Sequence, residues 1–300
     1  MLALYSFVFS APFLLLWKKN PSPFDLAWRA PAILAGQVIP PYGYIVILPS
    51  LAGAGELFPG TRWYGLAAAV FFSVAFALFL TWQAKRHVIV VILSALLTFS
   101  YIANQLYHTP APLGWRTIDT QLGALQDGYE NYYHRQKILI GLVRQALQAG
   151  HPVIVLPENV MGYLTPASAY WWNSTIVEAR QKGATLLAGA LKGSDKGVVA
   201  MGQANGFAPA EQPVPFMEDT RWHWKNSGNV ATIHGKRTGF VICYETFVGW
   251  PVLMTAAHSE IMVVMINAWW DTTNTSSIEV KTAASWAKLF GLPVLSAVNR

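Results

Sequence analysis

The stretch Gly239-Phe240-Val241-Ile242-Cys243-Tyr244-Glu245 decides how this chain is read. Three apolar residues, two of them β-branched, end in a small thiol that is followed by an aromatic and an acid. The pattern describes a short buried strand delivering a side chain to a turn. A thiol at a strand end, with carboxylates supplied from neighbouring strand ends, can act as an acyl-transfer nucleophile. A free cysteine can equally be a small buried hydrophobe without chemistry, and the local sequence leaves both readings open. Cys243 is the one cysteine in 300 residues, so no intrachain disulfide contributes to the fold.

Similar apolar runs surround this stretch, at Pro152 to Leu156, Thr185 to Leu191, Ile261 to Ile266 and Pro293 to Val298. Their hydrophobicity is continuous rather than alternating, which predicts strands covered on both faces. Helices are expected between them. Residues 129–149 set Ile138, Ile140, Leu142, Val143 and Leu147 against Arg135, Gln136 and Arg144, with Gly150 as a stop. Residues 166–182 and 276–290 are further candidates. The pattern gives a layered α/β class. In such sheets functional side chains gather beyond the strand ends. Three ends are chemically loaded: Pro157-Glu158-Asn159, Cys243-Tyr244-Glu245, and the run from Asn267 through Trp269-Trp270-Asp271.

The chain before residue 108 has a different character. Hydrophobic residues make up 53% of the whole and charged residues 12%, with a mean hydropathy of +0.33. Most of the apolar excess lies in four segments, at 2–17, 31–53, 63–82 and 88–107. The third and fourth carry no charge and approach the ~20 residues that a helix needs to span a bilayer. Pro40-Pro41 interrupts the second, predicting a kinked or re-entrant helix. The first is short, and its positive charges follow it, unlike a cleaved secretory signal, so it is read as a span. Lys18, Lys19, Arg29, Lys85 and Arg86 place the first and third loops in the cytoplasm. The chain after the fourth span then emerges on the periplasmic side of a bacterial inner membrane. His108-Thr109-Pro110-Ala111-Pro112-Leu113-Gly114 is the expected linker.

The formal charge of +6 and pI near 9.4 are explained by basic residues beside apolar segments. No basic stripe is present, so direct contact with nucleic acid is not expected. The seven histidines lack metal-like spacing and no glycine-rich phosphate loop is formed, so neither a metal nor another cofactor is expected. Few charges fall inside the apolar segments, which weighs against a transporter.

Pro157-Glu158 and Cys243-Tyr244-Glu245, together with Asn267-Ala268-Trp269, resemble the carbon–nitrogen hydrolase (nitrilase) superfamily. The Cys-Tyr-Glu form, the preceding spans and Val214-Pro215-Phe216-Met217-Glu218 look most like the apolipoprotein N-acyltransferase branch. The four spans and short middle resemble the TraB group, membrane-anchored nitrilase homologues encoded with plasmid conjugal transfer functions. The resemblance covers roughly residues 115–300. It implies an α-β-β-α sandwich over 108–300, preceded by a bundle of about four transmembrane helices over 1–107. The implied nucleophile is Cys243 and the implied general base Glu158, with Glu218, Glu245 and Tyr244 as further site candidates. Implied partners are the lipid bilayer, a small amide, acyl-lipid or peptide substrate, and other conjugal transfer proteins.

The sequence departs from the family pattern at two places. The spacing that places the family's catalytic lysine eight residues before the second acid lands on Ala210. Lys192, Lys196, Lys225 and Lys236 remain as substitutes, and their spacing favours none. A non-catalytic assembly component of the same fold is therefore the alternative to an enzyme. The family strand matching Pro293 to Arg300 also normally continues into further sheet, which predicts an incomplete domain with an exposed sheet edge. Trp222, Trp224, Trp269 and Trp270 could line an acyl-binding cleft or simply sit at a membrane interface.

Overall fold

The computed structural model describes residues 49–81, 86–107, 109–110, 112–214, 218–271 and 275–300, with scattered positions between 18 and 32. The expected span at 2–17 and the interrupted segment around Pro40-Pro41 lie outside the described residues, as do Pro215, Phe216 and Met217.

Two stacked sheets form the centre. The first contains β1 (Trp115–Thr117), β2 (Val153–Val155), β3 (Thr185–Lys192), β4 (Asp195–Gly202) and β5 (Gly206–Pro209), side by side in that order. The first three run parallel, and β3, β4 and β5 form an antiparallel meander. The second sheet contains β6 (Val230–Ile233), β7 (Lys236–Ile242), β8 (Ile261–Asn267) and β9 (Val294–Asn299), again in chain order. There β6 pairs antiparallel with β7, and β7, β8 and β9 run parallel.

Alternation along each strand sends successive side chains to opposite faces. Val153, Val155, Leu187 and Val198 of the first sheet pack against Phe240, Ile242, Val263 and Met265 of the second. The other face of the first sheet, with Ile154, Leu186 and Ala188, meets α4 (Tyr129–Gln148) and α5 (Pro166–Gln181) through Leu139, Val143 and Trp172. The other face of the second, with Val241, Val264 and Ile266, meets α6 (Gly249–His258) and α7 (Thr275–Phe290) through Leu253, Ala283 and Trp286. The layers therefore run α-β-β-α, and both faces of the parallel strands are covered as the continuous apolar runs predict.

Helix α5 begins where Thr165 caps it, its hydroxyl accepting from the Ser168 amide at 3.2 Å, with Pro166 at the first helical position. Buried between α4 and α5, Trp172 donates its indole N–H to Gln136 at 2.7 Å. A wholly apolar contact there would leave two polar groups unsatisfied.

Helix α1 (Pro49–Leu57) belongs to the outer layer of the second sheet. Leu51, Ala52, Ala54 and Phe58 enter the same core as Trp286 and Leu289. A Cβ on Gly55 would meet the Ser285 carbonyl oxygen at 1.7 Å, so only glycine permits this helix contact. Lys288 and Glu56 close the contact with an ion pair at 2.6 Å. Helices α2 (Trp63–Thr81) and α3 (Arg86–Leu106) follow, coinciding with the third and fourth apolar segments. Among the described residues one helix, His87–Leu106, is long and apolar enough to cross a membrane, and Trp63–Phe76 is a shorter apolar stretch. The described structure thus falls short of the expected four-helix bundle.

The expected exposed edge at β9 is corrected. Residues 118–123 lie along it: the Thr120 amide donates to Val298, the Arg300 amide donates to Thr120, and the Val298 amide donates to the Asp119 carboxylate, each at 2.9 Å. Asn299, fully buried, accepts from the Thr120 hydroxyl and donates to Asn267. A loop from the first half of the sandwich covers this end of the strand.

Candidate active site

Cys243 is the first residue of a 3-10 turn, Cys243–Phe247, that continues directly from β7. Its φ of 47° lies in the left-handed region, an uncommon and strained conformation for a residue with a side chain. The turn is pinned by Glu245. One carboxylate oxygen accepts from the amide of Ile242 at 2.7 Å, and the other accepts from the amides of Glu211 and Gln212 at 2.6 and 3.0 Å. Glu245 therefore ties the nucleophile's turn to the loop after β5. All three contacts are to backbone amides, so the carboxylate fixes the conformation of the turn. Tyr244 is partly buried beside it.

Glu158 follows β2 through Leu156 and Pro157 and is buried. Its position depends on Gly189 in the neighbouring β3. A Cβ at Gly189 would stand 2.4 Å from the Glu158 Cα and 2.3 Å from the Asn159 amide nitrogen. The Gly189 amide donates to Pro157 at 3.0 Å, and its carbonyl accepts from Met161 at 3.1 Å. Asn159, at φ 53°, makes the sharp exit.

The cation comes from β4. Lys196 Nζ lies 3.0 Å from Glu158 Oε1 and 2.6 and 2.7 Å from the two oxygens of Glu218. Glu158 Oε2 accepts the backbone N–H of Asn267 at 3.0 Å, so the end of β8 also enters the site. Glu218 Oε2 accepts the Val214 amide at 2.9 Å. The Cys243 thiol lies within the electrostatic reach of Glu158 and Lys196. Cys243, Glu158 and Glu218 are thus brought together around an ammonium, with Glu245 behind the thiol.

Ala210, the position the family spacing indicates for the lysine, packs between the sheets. Its amide donates to the Lys196 carbonyl at 2.8 Å. The lysine is therefore displaced to the strand next door, fourteen residues earlier in sequence but adjacent in space. A fixed sequence spacing cannot register such a move, because the two positions are neighbours through strand pairing and not through their separation along the chain. The tight β3–β4 hairpin, with Lys192 facing Asp195, is the one local signal that Lys196 lies on a strand.

Burial opposes the charge on Lys196, but Glu158 and Glu218 more than offset this and hold it protonated. Burial raises the Cys243 thiol well above the ordinary thiol range. Glu158 and Glu279 add to the effect, against the pull of Lys196. The thiol is therefore neutral at rest, and its reaction as a nucleophile would require a base. Burial also pushes Glu245 up to about 7, against the three backbone donors that favour its charged form. Among the described residues no group of histidine, cysteine, aspartate and glutamate side chains is arranged to hold a metal ion.

A four-layer sandwich with a thiol, a glutamate and a lysine converging at its strand ends defines a nitrilase-like α/β protein. No family model matches the chain. The conjugal transfer protein TraB of Agrobacterium fabrum is 31% identical over 311 residues, covering 95% of this chain and 70% of that protein. A probable TraB of Sinorhizobium fredii is 26% identical over 316 residues, covering 95% and 75%. This chain belongs to the TraB family of conjugal transfer proteins. Similar solved structures include a cysteine-to-alanine mutant of a nitrilase-superfamily amidase from Nesterenkonia. It has 13% identity and a TM-score of 0.46, covering 63% of this chain and 78% of that one. A second mutant of the same amidase, carrying the acetamide moiety of fluoroacetamide on its active-site cysteine, has 15% identity and a TM-score of 0.46, covering 64% and 79%.

Proposed function

We propose that this protein is a membrane-bound, cysteine-dependent amidase or N-acyltransferase that acts in plasmid conjugal transfer. The observation that carries the reading is the Lys196 ammonium bridging Glu158 and Glu218 next to the Cys243 thiol. Cys243 attacks an acyl carbonyl, forming an S–C bond, as Glu158 takes the thiol proton. Lys196 neutralises the developing oxyanion. Collapse breaks the bond to the leaving group, which receives the proton from Glu158. Water or an amine, deprotonated by Glu158, then attacks the thioester and frees the thiol. The non-catalytic alternative drew its support from the absence of a lysine at Ala210, and the position of Lys196 favours the catalytic reading over it.

Membrane attachment is supported by the exposed apolar surface of α3, where Val91, Phe99, Tyr101 and Leu106 are each more than half exposed. A contiguous surface of this kind needs a covering phase. The reading is a multi-pass inner-membrane protein with the sandwich on the periplasmic side. Its substrate is a small amide, acyl-lipid or peptide near the bilayer, and other conjugal transfer proteins are its partners.

Intact-mass analysis after incubation with an activated thioester or a phospholipid tests the catalytic reading, since the chain has one cysteine. A Cys243 adduct that forms more slowly in Glu158→Ala, and not at all in Cys243→Ala, is the expected result. No adduct in folded, membrane-inserted protein across several donors would return the chain to a scaffold.

A further inference from the structure

Helix α7 presents one more acid to this site that the reaction above does not use. Ser276, Glu279, Ala283 and Trp286 recur at the three- and four-residue spacing of a single helix stripe. All four are buried. Trp286 fixes the direction of that stripe, because its indole N–H donates at 3.2 Å to the carbonyl of Thr246, inside the turn that begins with Cys243. The start of the helix is fixed as well: the Ser276 amide donates at 2.7 Å to Asp271, just beyond the strand end whose Asn267 amide holds Glu158. Glu279 therefore projects toward the nucleophile's turn from one helical turn inside the helix.

Glu279 is only 5% exposed and Ser276 only 1%, yet Glu279 Oε2 and Ser276 Oγ have no hydrogen-bond partner among the described residues. A buried polar group left in this condition costs about 1–3 kcal/mol, so such a pair is retained where a ligand completes it. The charge of that ligand follows from its neighbours. Lys196 is paired with Glu158 and Glu218, and Asp271 adds another acid near Glu279. Burial raises the Glu279 carboxyl most, Glu158 and Asp271 add to it, and Lys196 opposes them. The missing partner is a donor that carries positive charge.

We propose that Glu279 and Ser276 form an amine subsite beside Cys243, so that the substrate class is an amide or acyl acceptor bearing a primary ammonium group. This rests on Cys243 being the nucleophile of the site. The ammonium donates to the Glu279 carboxylate and the Ser276 hydroxyl while the carbonyl faces the thiol. A neutral alkyl group of the same size leaves both oxygens unsatisfied.

The test uses the full chain in detergent and two alkylating reagents, N-(2-aminoethyl)chloroacetamide and N-propylchloroacetamide. In each, an S–C bond to Cys243 forms, chloride leaves and the thiol proton passes to Glu158 or to water, so acyl-transfer activity is not required. The expected result is at least a 10-fold faster adduct with the ammonium reagent in the wild type, with the ratio falling toward one in Glu279→Gln. A wild-type ratio near one overturns the subsite without depending on any variant, as does a ratio that survives Glu279→Gln. Failure of acyl transfer with a preserved reagent preference would sink the catalytic reading and leave the subsite standing. No alkylation by either reagent would sink both, because the thiol would then be closed to ligands.

Discussion

Two pairs of carboxyl groups flank Cys243, and they are held by opposite means. Glu158 and Glu218 share one ammonium, which contacts three of their four oxygens within 3.0 Å. Glu245 and Glu211, on the other side of the thiol, have no lysine or arginine at salt-bridge distance among the described residues. Glu245 is held by three backbone amides. Glu211 is nearly unpartnered, with one oxygen bonded to nothing among the described residues and the other 3.4 Å from the Lys225 amide. The first pair is gathered by a cation beside the thiol. The second shapes the backbone, and burial tends to return it to the neutral form.

The contrast breaks most sharply at Lys196. Lys196→Met should leave two carboxylates uncompensated and destabilise the fold by about 3–5 kcal/mol. It should also slow acylation of Cys243 by about 100- to 1,000-fold, the usual loss for one oxyanion donor. Chemical denaturation and intact-mass kinetics measure the two effects separately. An unchanged acylation rate would mean that Lys196 serves only to bury the acids.

Gly189 tests the same pair from the backbone. The Cβ of Gly189→Ala would overlap the main chain of Glu158 and Asn159. That contact cannot be relieved by a flexible side chain. A loss of about 2–3 kcal/mol is expected, with slower acylation as Glu158 leaves its line to Lys196. Thermal melting and the same kinetics check it, and an unaltered melting temperature would show that the strand end tolerates displacement.

Much of this architecture was legible in the sequence. The five apolar runs became β2, β3, β7, β8 and β9, and the periodic segments became α4, α5 and α7, with ends within a few residues. Glu158 and Cys243 could be read because each ends its own strand. Lys196 could not, because its partners lie across the sheet at residues 158 and 218. Strand β4, which reads Asp-Lys-Gly-Val-Val-Ala-Met-Gly, opens on two charged residues and a glycine, so Lys196 reads as part of the preceding turn. Helix α1 escaped for a different reason. Its apolar face covers α7, and hydropathy alone does not separate a helix that packs on protein from one that packs on lipid. Glu279 was hidden because one acid in an amphipathic helix reads as surface until the opposite wall of the site is known.

Glu245 sharpens the comparison from the side without a cation. Glu245→Ala abandons three backbone donors and should cost about 1–3 kcal/mol. Because the turn after β7 loses its tie to the loop after β5, acylation should slow as well. Glu245→Gln retains one acceptor oxygen and should recover part of both. If Glu245→Ala were stable yet inactive, Glu245 would need a role at the reacting atoms rather than one of positioning.

The smallest effect belongs to Glu211 and reads out the difference in charge state directly. Burial raises this carboxyl to about 8 from 4.5, with the nearby Glu245 adding to the shift and Lys225 opposing it. The folded chain therefore binds a proton that the unfolded chain releases over that interval. Stability contributed by this group is fully present below about pH 4.5 and falls as pH rises to about 8. Glu211→Gln cannot titrate, so its melting temperature should equal that of the wild type or lie slightly below it at pH 5 and exceed it at pH 8.5. The crossover should be worth at least one pKa unit, about 1.4 kcal/mol. Glu245 and Glu279, each raised to about 7, incline the wild-type profile in the same direction. Glu211→Gln should therefore flatten the slope without abolishing it. Equal slopes in the two proteins would mean that Glu211 is charged when folded, and the two sides of the thiol would then no longer differ in kind.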